Sequence, residues 1–274
     1  MDYTIKLKTS IAFALLFFLL APFPTHAGIS VVGKLTQERM SEPGDTYHGS
    51  IYIKNAGNED AKVRVYQTDF LFFFDGTNKY GEPGEDPRSN ADWFTLSPKE
   101  LIVPPGQTSE VSYIVEVPAE ESLTGTYWSM VMVQDVQDDN REPGVSEKGK
   151  IKVSLSETIR FGIQMITNIG DTGTRKLNFL NTKLLKEKQS IILQIDAENT
   201  GQRKLSTLLY AEFYNENGKH TGRFEGGKLG IYPGTSVRFR IDLGKIPTGT
   251  YKALVVADCG ADALFGANYT LKIK

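Results

Sequence analysis

Residues able to do covalent or metal chemistry are few in this sequence, and they are scattered. Three histidines occur; beyond His26, near the start, only His48 and His220 remain, one in each half of the chain, with the single Cys259 apart from both. Structural zinc is held by four nitrogen or sulfur ligands, so two lone imidazoles are poor candidates. No G-x-S-x-G elbow, H-E-x-x-H pair or phosphate-cradling loop is present. Ser, His and Asp all occur, but no spacing brings a triad together. Acidic residues do cluster, as Asp75, Glu82, Glu85, Asp86 and Asp92, and again as Asp135, Asp138, Asp139 and Glu142. Calcium needs several oxygens converging on a turn. Neither stretch has D-x-D-x-D-G spacing, although Asp75-Gly76-Thr77-Asn78 could supply one or two ligands. Solvated loop charge is the better reading of the acidic residues, a surface position that of both histidines, and a buried thiol that of Cys259. Asn268-Tyr269-Thr270 fits a glycosylation acceptor but falls in an expected strand. These residues predict no enzyme, no cofactor and no metal.

The positions that could act instead through shape are apolar and alternate. Ile159, Phe161, Ile163 and Met165 occupy every second place in a long strand-like stretch, Ile151–Thr167, with Val153 and Leu155 in phase and Glu157 interrupting. A two-residue period suits a half-buried strand and does not suit a helix. The same period marks Val111, Tyr113, Val115 and Val117, and later Val237, Phe239, Ile241 and Leu243. Each of these two runs is launched by a Pro-Gly turn, Pro105-Gly106 or Pro233-Gly234, and leads to the tetrapeptide TGTY, at Thr124–Tyr127 and Thr248–Tyr251. Upstream, Asn55 and Asn199 stand at matching places between two early strands, where a turn asparagine in the left-handed region is expected. The chain is an internal repeat.

The halves differ in one segment. From the asparagine to the Pro-Gly turn, the first repeat runs from 55 to 105 and the second from 199 to 233. The extra length is Leu71–Trp93, preceded and opened by Phe70, Phe72 and Phe74 alternating with Leu71 and Phe73. A run bulky on both faces is a buried strand or a contact surface, and long loops in compact domains are often functional. Phe72, Phe74 and Trp93 are therefore candidate loop contacts. Trp93 and Trp128 read first as core plugs, with Trp93 the better candidate for surface recognition.

Composition sets the outer limits. The 274 residues, 40% hydrophobic, are enough for two sandwiches of roughly 100 residues each. A formal net charge of -2 gives no reason to expect nucleic acid or an anionic membrane as partner. One cysteine allows no intrachain disulfide. Residues 1–27 follow the pattern of a signal peptide: Lys6 and Lys8, the apolar run Ile11–Ala21, then Thr25-His26-Ala27. That run is shorter than the roughly 18–20 residues of a membrane-spanning helix. The mature chain is expected to begin near Gly28, without a transmembrane segment or lipid-anchoring cysteine.

The segments SIYIKNAGNEDAKVRVY, WFTLSPKELIVPPGQTSEVSYIV, ESLTGTYWSMVMV and SLSETIRFGIQMIT resemble the first domain of periplasmic pilus-assembly chaperones. The early segments are also similar to the N-terminal domain of Gram-positive surface proteins that bind WxL-domain partners. The first resemblance implies strand addition, in which alternate apolar residues of the last strand of the first domain complete a partner's sheet. Val153, Leu155, Ile159, Phe161, Ile163 and Met165 would be that set. It also implies an anchor for the partner's terminal carboxylate. Here Arg160 stands beside Gly162, where the last-strand lysine is expected, while the first strand offers Lys34 and no arginine; the Arg-Pro of the family hinge is missing.

The expected protein is all-β, with two tandem immunoglobulin-like β-sandwiches after a signal peptide. The first spans 28–167 with the inserted loop 71–93, the linker 168–175, and the second sandwich 176–274. Its expected role is that of an exported, non-enzymatic, chaperone-like protein, periplasmic or at the cell surface. It would bind another secreted or envelope protein, such as a pilin-like subunit, during assembly of a pilus or surface structure. The alternative is a surface scaffold or adhesin-type module whose loops bind a ligand or cell-wall partner.

Overall fold

The computed structural model describes residues 28–136, 158–260 and 263–274. The signal-like leader, Val153, Leu155 and the acidic residues Asp138, Asp139 and Glu142 lie outside the described residues. In the first half the strands are β1 (Ile29–Val32), β2 (Thr36–Ser41), β3 (Thr46–Asn55), β4 (Ala61–Phe72), β5 (Asn78–Gly81), β6 (Phe94–Ser97), β7 (Glu100–Val103), β8 (Thr108–Glu116), β9 (Gly125–Asp135) and β10 (Arg160–Ile169). The second half adds β11 (Leu177–Glu187), β12 (Ser190–Asn199), β13 (Leu205–Asn215), β14 (His220–Ile231), β15 (Ser236–Asp242), β16 (Gly249–Asp258) and β17 (Leu264–Ile273). Among the described residues the one helical element is a single 3-10 turn, Ala91–Trp93.

Two sandwiches result. In the first, a sheet of order β1-β3-β8-β6 faces a sheet of order β2-β10-β9-β4-β5, with β7 paired to β4. Between them lie Ile51, Ile53, Val111, Val115, Val63, Val65, Val131 and Ile163, contributed alternately by strands of both sheets. The alternation exists because each sheet turns one face of its strands toward the other sheet. In the second sandwich the sheets are β11-β12-β15 and β14-β13-β16-β17. Three strands against four is the count of the constant-type immunoglobulin sandwich. Leu193, Ile195, Phe239 and Ile241 from one sheet meet Leu209, Phe213 and Val255 from the other.

The repeat has a common polar clamp, and here the structure departs from expectation. Asn55 and Asn199 are the last residues of β3 and β12, and neither has a positive φ. Both are buried, and their side chains hold the turns together. Asn55 Nδ2 donates to the carbonyls of Glu59 (2.7 Å) and Val103 (2.8 Å), while Oδ1 accepts from the Gly57 N–H at 2.8 Å. Asn199 Nδ2 donates to Arg203 (2.7 Å) and Ile231 (2.9 Å), and Oδ1 accepts from Gly201 at 2.9 Å. Val103 and Ile231 immediately precede the two Pro-Gly turns. At Gly106 and Gly234 the backbone has φ of 70° and 75°, a conformation open to glycine at little cost. Each asparagine thus ties an early turn to a Pro-Gly turn far along the chain.

The expected linker begins too early. β10 runs on through Asn168 and Ile169, and β11 starts at Leu177, so the free connection is only 170–176. Asn168 is held inside the strand, accepting from Thr126 Oγ1 at 2.6 Å and donating to Glu38 at 2.8 Å. Gly125 of the first TGTY sits against the second domain. It has φ of 76°, and a Cβ there would lie 2.1 Å from the carbonyl oxygen of Gln202.

Replacing either clamp asparagine by alanine strands buried backbone groups, at about 1–3 kcal/mol for each group left without a partner. Asn55→Ala is expected to lower the urea midpoint of the first sandwich, and Asn199→Ala that of the second. Unchanged midpoints in both variants would contradict the clamp.

Candidate functional site

The site is built where the first sandwich changes sheets. β1 pairs antiparallel with β3 in one sheet. Three residues later the chain has crossed to the other sheet, and β2 pairs in parallel with β10. The crossing turns on Gly33, with φ of 107°. Pairing of β2 to β10 covers only Gln164–Ile169, whereas β9 pairs β10 over Arg160–Ile169. Among the described residues no strand lies along the other side of Arg160–Ile163. Direction follows from two bonds. The Gln164 N–H donates to the Leu35 carbonyl, on the β2 side, and the Ile159 carbonyl accepts from Asp135 N–H, on the β9 side. Backbone groups alternate sides along a strand, so those of Arg160 and Gly162 point to the open side.

Along the inward face of this strand burial falls away from one end to the other. Met165 is 2% exposed and Ile163 0%. Phe161 is partly buried against the same core, and Ile159 is 43% exposed. The row expected as a partner-binding set is therefore divided. Ile163 and Met165 fill the protein's own core and offer no free side chain, because β2 closes the seam beside them. Ile159 and Phe161 lie beyond its reach. Leu35, 46% exposed on the crossing segment, adds a third apolar group.

Beside this edge lies a cleft of about 620 Å³ between the two sheets, lined by Lys34, Gln37, Arg39, Tyr47, Tyr113 and Met165 among others. Tyr113 donates to Gln37 Oε1 at 2.6 Å, and Tyr47 hydroxyl and Thr167 Oγ1 lie 2.8 Å apart. Burial pushes both phenols above their ordinary pKa, so they stay neutral. Lys34 and Arg160, the expected carboxylate anchor, are both exposed at the open end and make no ion pair among the described residues. Arg39 was not among the expected residues; its guanidinium lies 5.4 Å from the Tyr47 ring. The polar stretch TQERMS has no alternation that would have marked it.

The inserted segment is folded back onto the protein. Asp69, buried, accepts from the N–H groups of Gly84 (3.1 Å) and Asp86 (2.7 Å) and from the Ser89 hydroxyl. Asn90 donates to the Met165 carbonyl at 3.2 Å. Phe72 and Phe74, expected as contacts for a partner, meet the second domain. Phe72 packs edge-on to Tyr232 at 5.6 Å; the Phe74 N–H donates to Ser236 Oγ at 3.1 Å. Trp93 packs on Tyr127 at 4.8 Å, beside the core. Trp128 is on the outer face of its sheet. It forms a separate buried cluster with Ile166 and Tyr232, and its indole donates to the Phe70 carbonyl at 3.0 Å. Among the described residues no three acidic, histidine or cysteine side chains converge as metal ligands. No helix among them is long and apolar enough to cross a membrane.

No family model and no curated protein matches the chain. Several solved structures do align over nearly its whole length. A chain of the chaperone–tip adhesin complex of CFA/I fimbriae biogenesis is 12% identical, with a TM-score of 0.47 over 89% of this chain and 98% of its own. The class 5 fimbriae chaperone CfaA is 12% identical, with a TM-score of 0.45 over 90% and 100%. A chain of the CsuC–CsuE chaperone–tip adhesion subunit complex of Acinetobacter baumannii is also 12% identical, at 0.44 over 88% and 98%.

Glu38 of β2 joins the site to the second domain through Lys204. Burial pushes its pKa up, but hydrogen bonds from Lys204 and Asn168, with the charges of Lys204 and Arg203, outweigh this and hold it below the ordinary 4.5. A depressed carboxylate stabilises above its unfolded pKa and ceases to do so as pH falls through the folded value. Contact between the domains should therefore loosen only below about pH 4.5. Small-angle scattering across that range should show the expansion. Lys204→Met should move its onset to higher pH; an unmoved onset would exclude this pair as the cause.

Proposed function

We propose that this protein is an exported, chaperone-like binder of another secreted or envelope protein, of the pilin-like subunit kind, and that it accepts a strand of that partner along Arg160–Ile163. The pairing of β10 carries this reading: among the described residues one side is bonded over its full length and the other only from Gln164 onward. An incoming strand finds two N–H and two C=O groups, on Arg160 and Gly162. Four such bonds contribute about 1 kcal/mol each, roughly 4 kcal/mol together, which alone is millimolar binding. Affinity must come from apolar burial, at about 1.5–3 kcal/mol per large side chain, and Ile159, Phe161 and Leu35 supply that surface. Backbone bonds then fix register and the side chains give strength. Lys34, Arg39 and Arg160 suit a carboxylate on the incoming strand. Such a binder works in the periplasm or at the cell surface, where its partner is exported.

The test is native mass spectrometry of the protein purified gently from its own cell envelope. A one-to-one complex with a second secreted polypeptide is expected. Arg160→Pro removes an open-side N–H without taking a bond from β9, so it should leave the fold intact. It should abolish the complex, whereas Arg160→Gln should only weaken it. A bare monomer from the unmodified protein, or a complex that survives Arg160→Pro, would overturn the reading.

A further inference from the structure

The length of open edge on β10 depends on where β2 lets go, and that point is held from the second domain. Gln164 is the first residue of β10 bonded to the β2 side, its N–H donating to Leu35 O at 2.9 Å. Its side-chain Oε1 accepts from Thr36 Oγ1 at 3.3 Å, on the first residue of β2, and from the Tyr232 hydroxyl at 2.8 Å. Tyr232 itself belongs to the second sandwich. It is buried among Trp128, Ile166 and Phe72, with its ring 5.1 Å from that of Trp128. Burial also pushes its phenol far above the ordinary value, so the hydroxyl keeps its proton to donate.

β2 needs such a hold. Its side chains add little to the core: Thr36, Glu38, Arg39 and Met40 are all exposed. Parallel pairing is also slightly weaker per residue than antiparallel pairing. Besides its backbone, β2 is held by Gln37 on Tyr113, Glu38 on Lys204 and Asn168, Arg39 over the Tyr47 ring, and the Thr36–Gln164–Tyr232 chain. The last of these sits at the boundary itself.

We propose that Tyr232 is a positioning residue: through Gln164 its hydroxyl pins the start of β2 to β10 and so sets where the partner-accepting edge ends. The proposal rests on the strand-addition reading for its meaning, but the hold itself can be measured without a partner. Tyr232→Phe removes the hydroxyl and keeps the ring. Residues 164, 166 and 168 direct their N–H groups toward β2, and 161, 163 and 165 toward β9. Loss of one hydrogen bond worth about 1 kcal/mol corresponds to roughly fivefold faster local opening. In Tyr232→Phe, amide exchange at Gln164 and Ile166 should accelerate about fivefold while Phe161, Ile163 and Met165 keep their protection. Unchanged exchange at Gln164 and Ile166 would overturn the proposal. Equal acceleration on both sides would also overturn it, because it would report loosening of the whole domain contact. If the exchange pattern is as expected but native mass spectrometry finds no secreted partner, the hold stands and the strand-addition reading fails.

Discussion

The structure of the first sandwich follows from one constraint: a strand can pair within only one sheet at a time. Residues 29–41 must serve both sheets, as β1 in one and β2 in the other. The crossing at Gly33 takes a few residues, and the chain reaches the second sheet only at Leu35, whose carbonyl accepts from the Gln164 N–H. Among the described residues, β10, which lies across the seam, is therefore bonded on both sides only where β2 has arrived. The open edge is thus a consequence of topology. Its position depends on how early β2 docks, and that is where side-chain chemistry enters, through Gln164 and the groups around it.

Much of this fold is legible in the sequence because strict alternation has a single physical meaning, one wet face and one dry. Val111, Tyr113, Val115 and Val117 are all buried in the core, and so are Phe239, Ile241 and Leu243. The candidate site is only half legible. The row Ile159, Phe161, Ile163 and Met165 does share one face, but its gradient of exposure depends on β2, a strand whose polar sequence carries no period. β2 is there because of backbone pairing and a few polar ties. Phe70 to Phe74 posed a different difficulty. A stretch bulky on both sides must be buried on both sides, yet nothing local says against what. Phe72 meets Tyr232 because the second domain lies there, which is a fact of long-range geometry.

The two asparagines show a related limit. Composition around Asn55 and Asn199 marks a turn, and asparagine in a turn suggests unusual backbone angles. The backbone is ordinary; the amide matters instead. In both domains the same three bonds join a short turn to a Pro-Gly turn some 50 or 34 residues on in sequence, the spans between Asn55 and Pro105 and between Asn199 and Pro233. One amide satisfies two carbonyls and one N–H that burial would otherwise leave without water. That makes it hard to replace, and it explains why the repeat retains it while the middle segments diverge in length.

An open strand edge is a hazard as well as an opportunity, since it can pair with another copy of the same chain. The apolar groups at this edge, Ile159, Phe161 and Leu35, would favour such pairing. The charges oppose it. Arg160 lies on the edge and Lys34 on the crossing segment beside it, and pairing of two copies through this edge would gather those cations, while Glu38 of β2 is already held by Lys204. Like charges facing each other across a strand pair are destabilising. A strand bearing a carboxylate meets the reverse condition. The same few residues thus disfavour self-association, so the edge can remain open in the free protein.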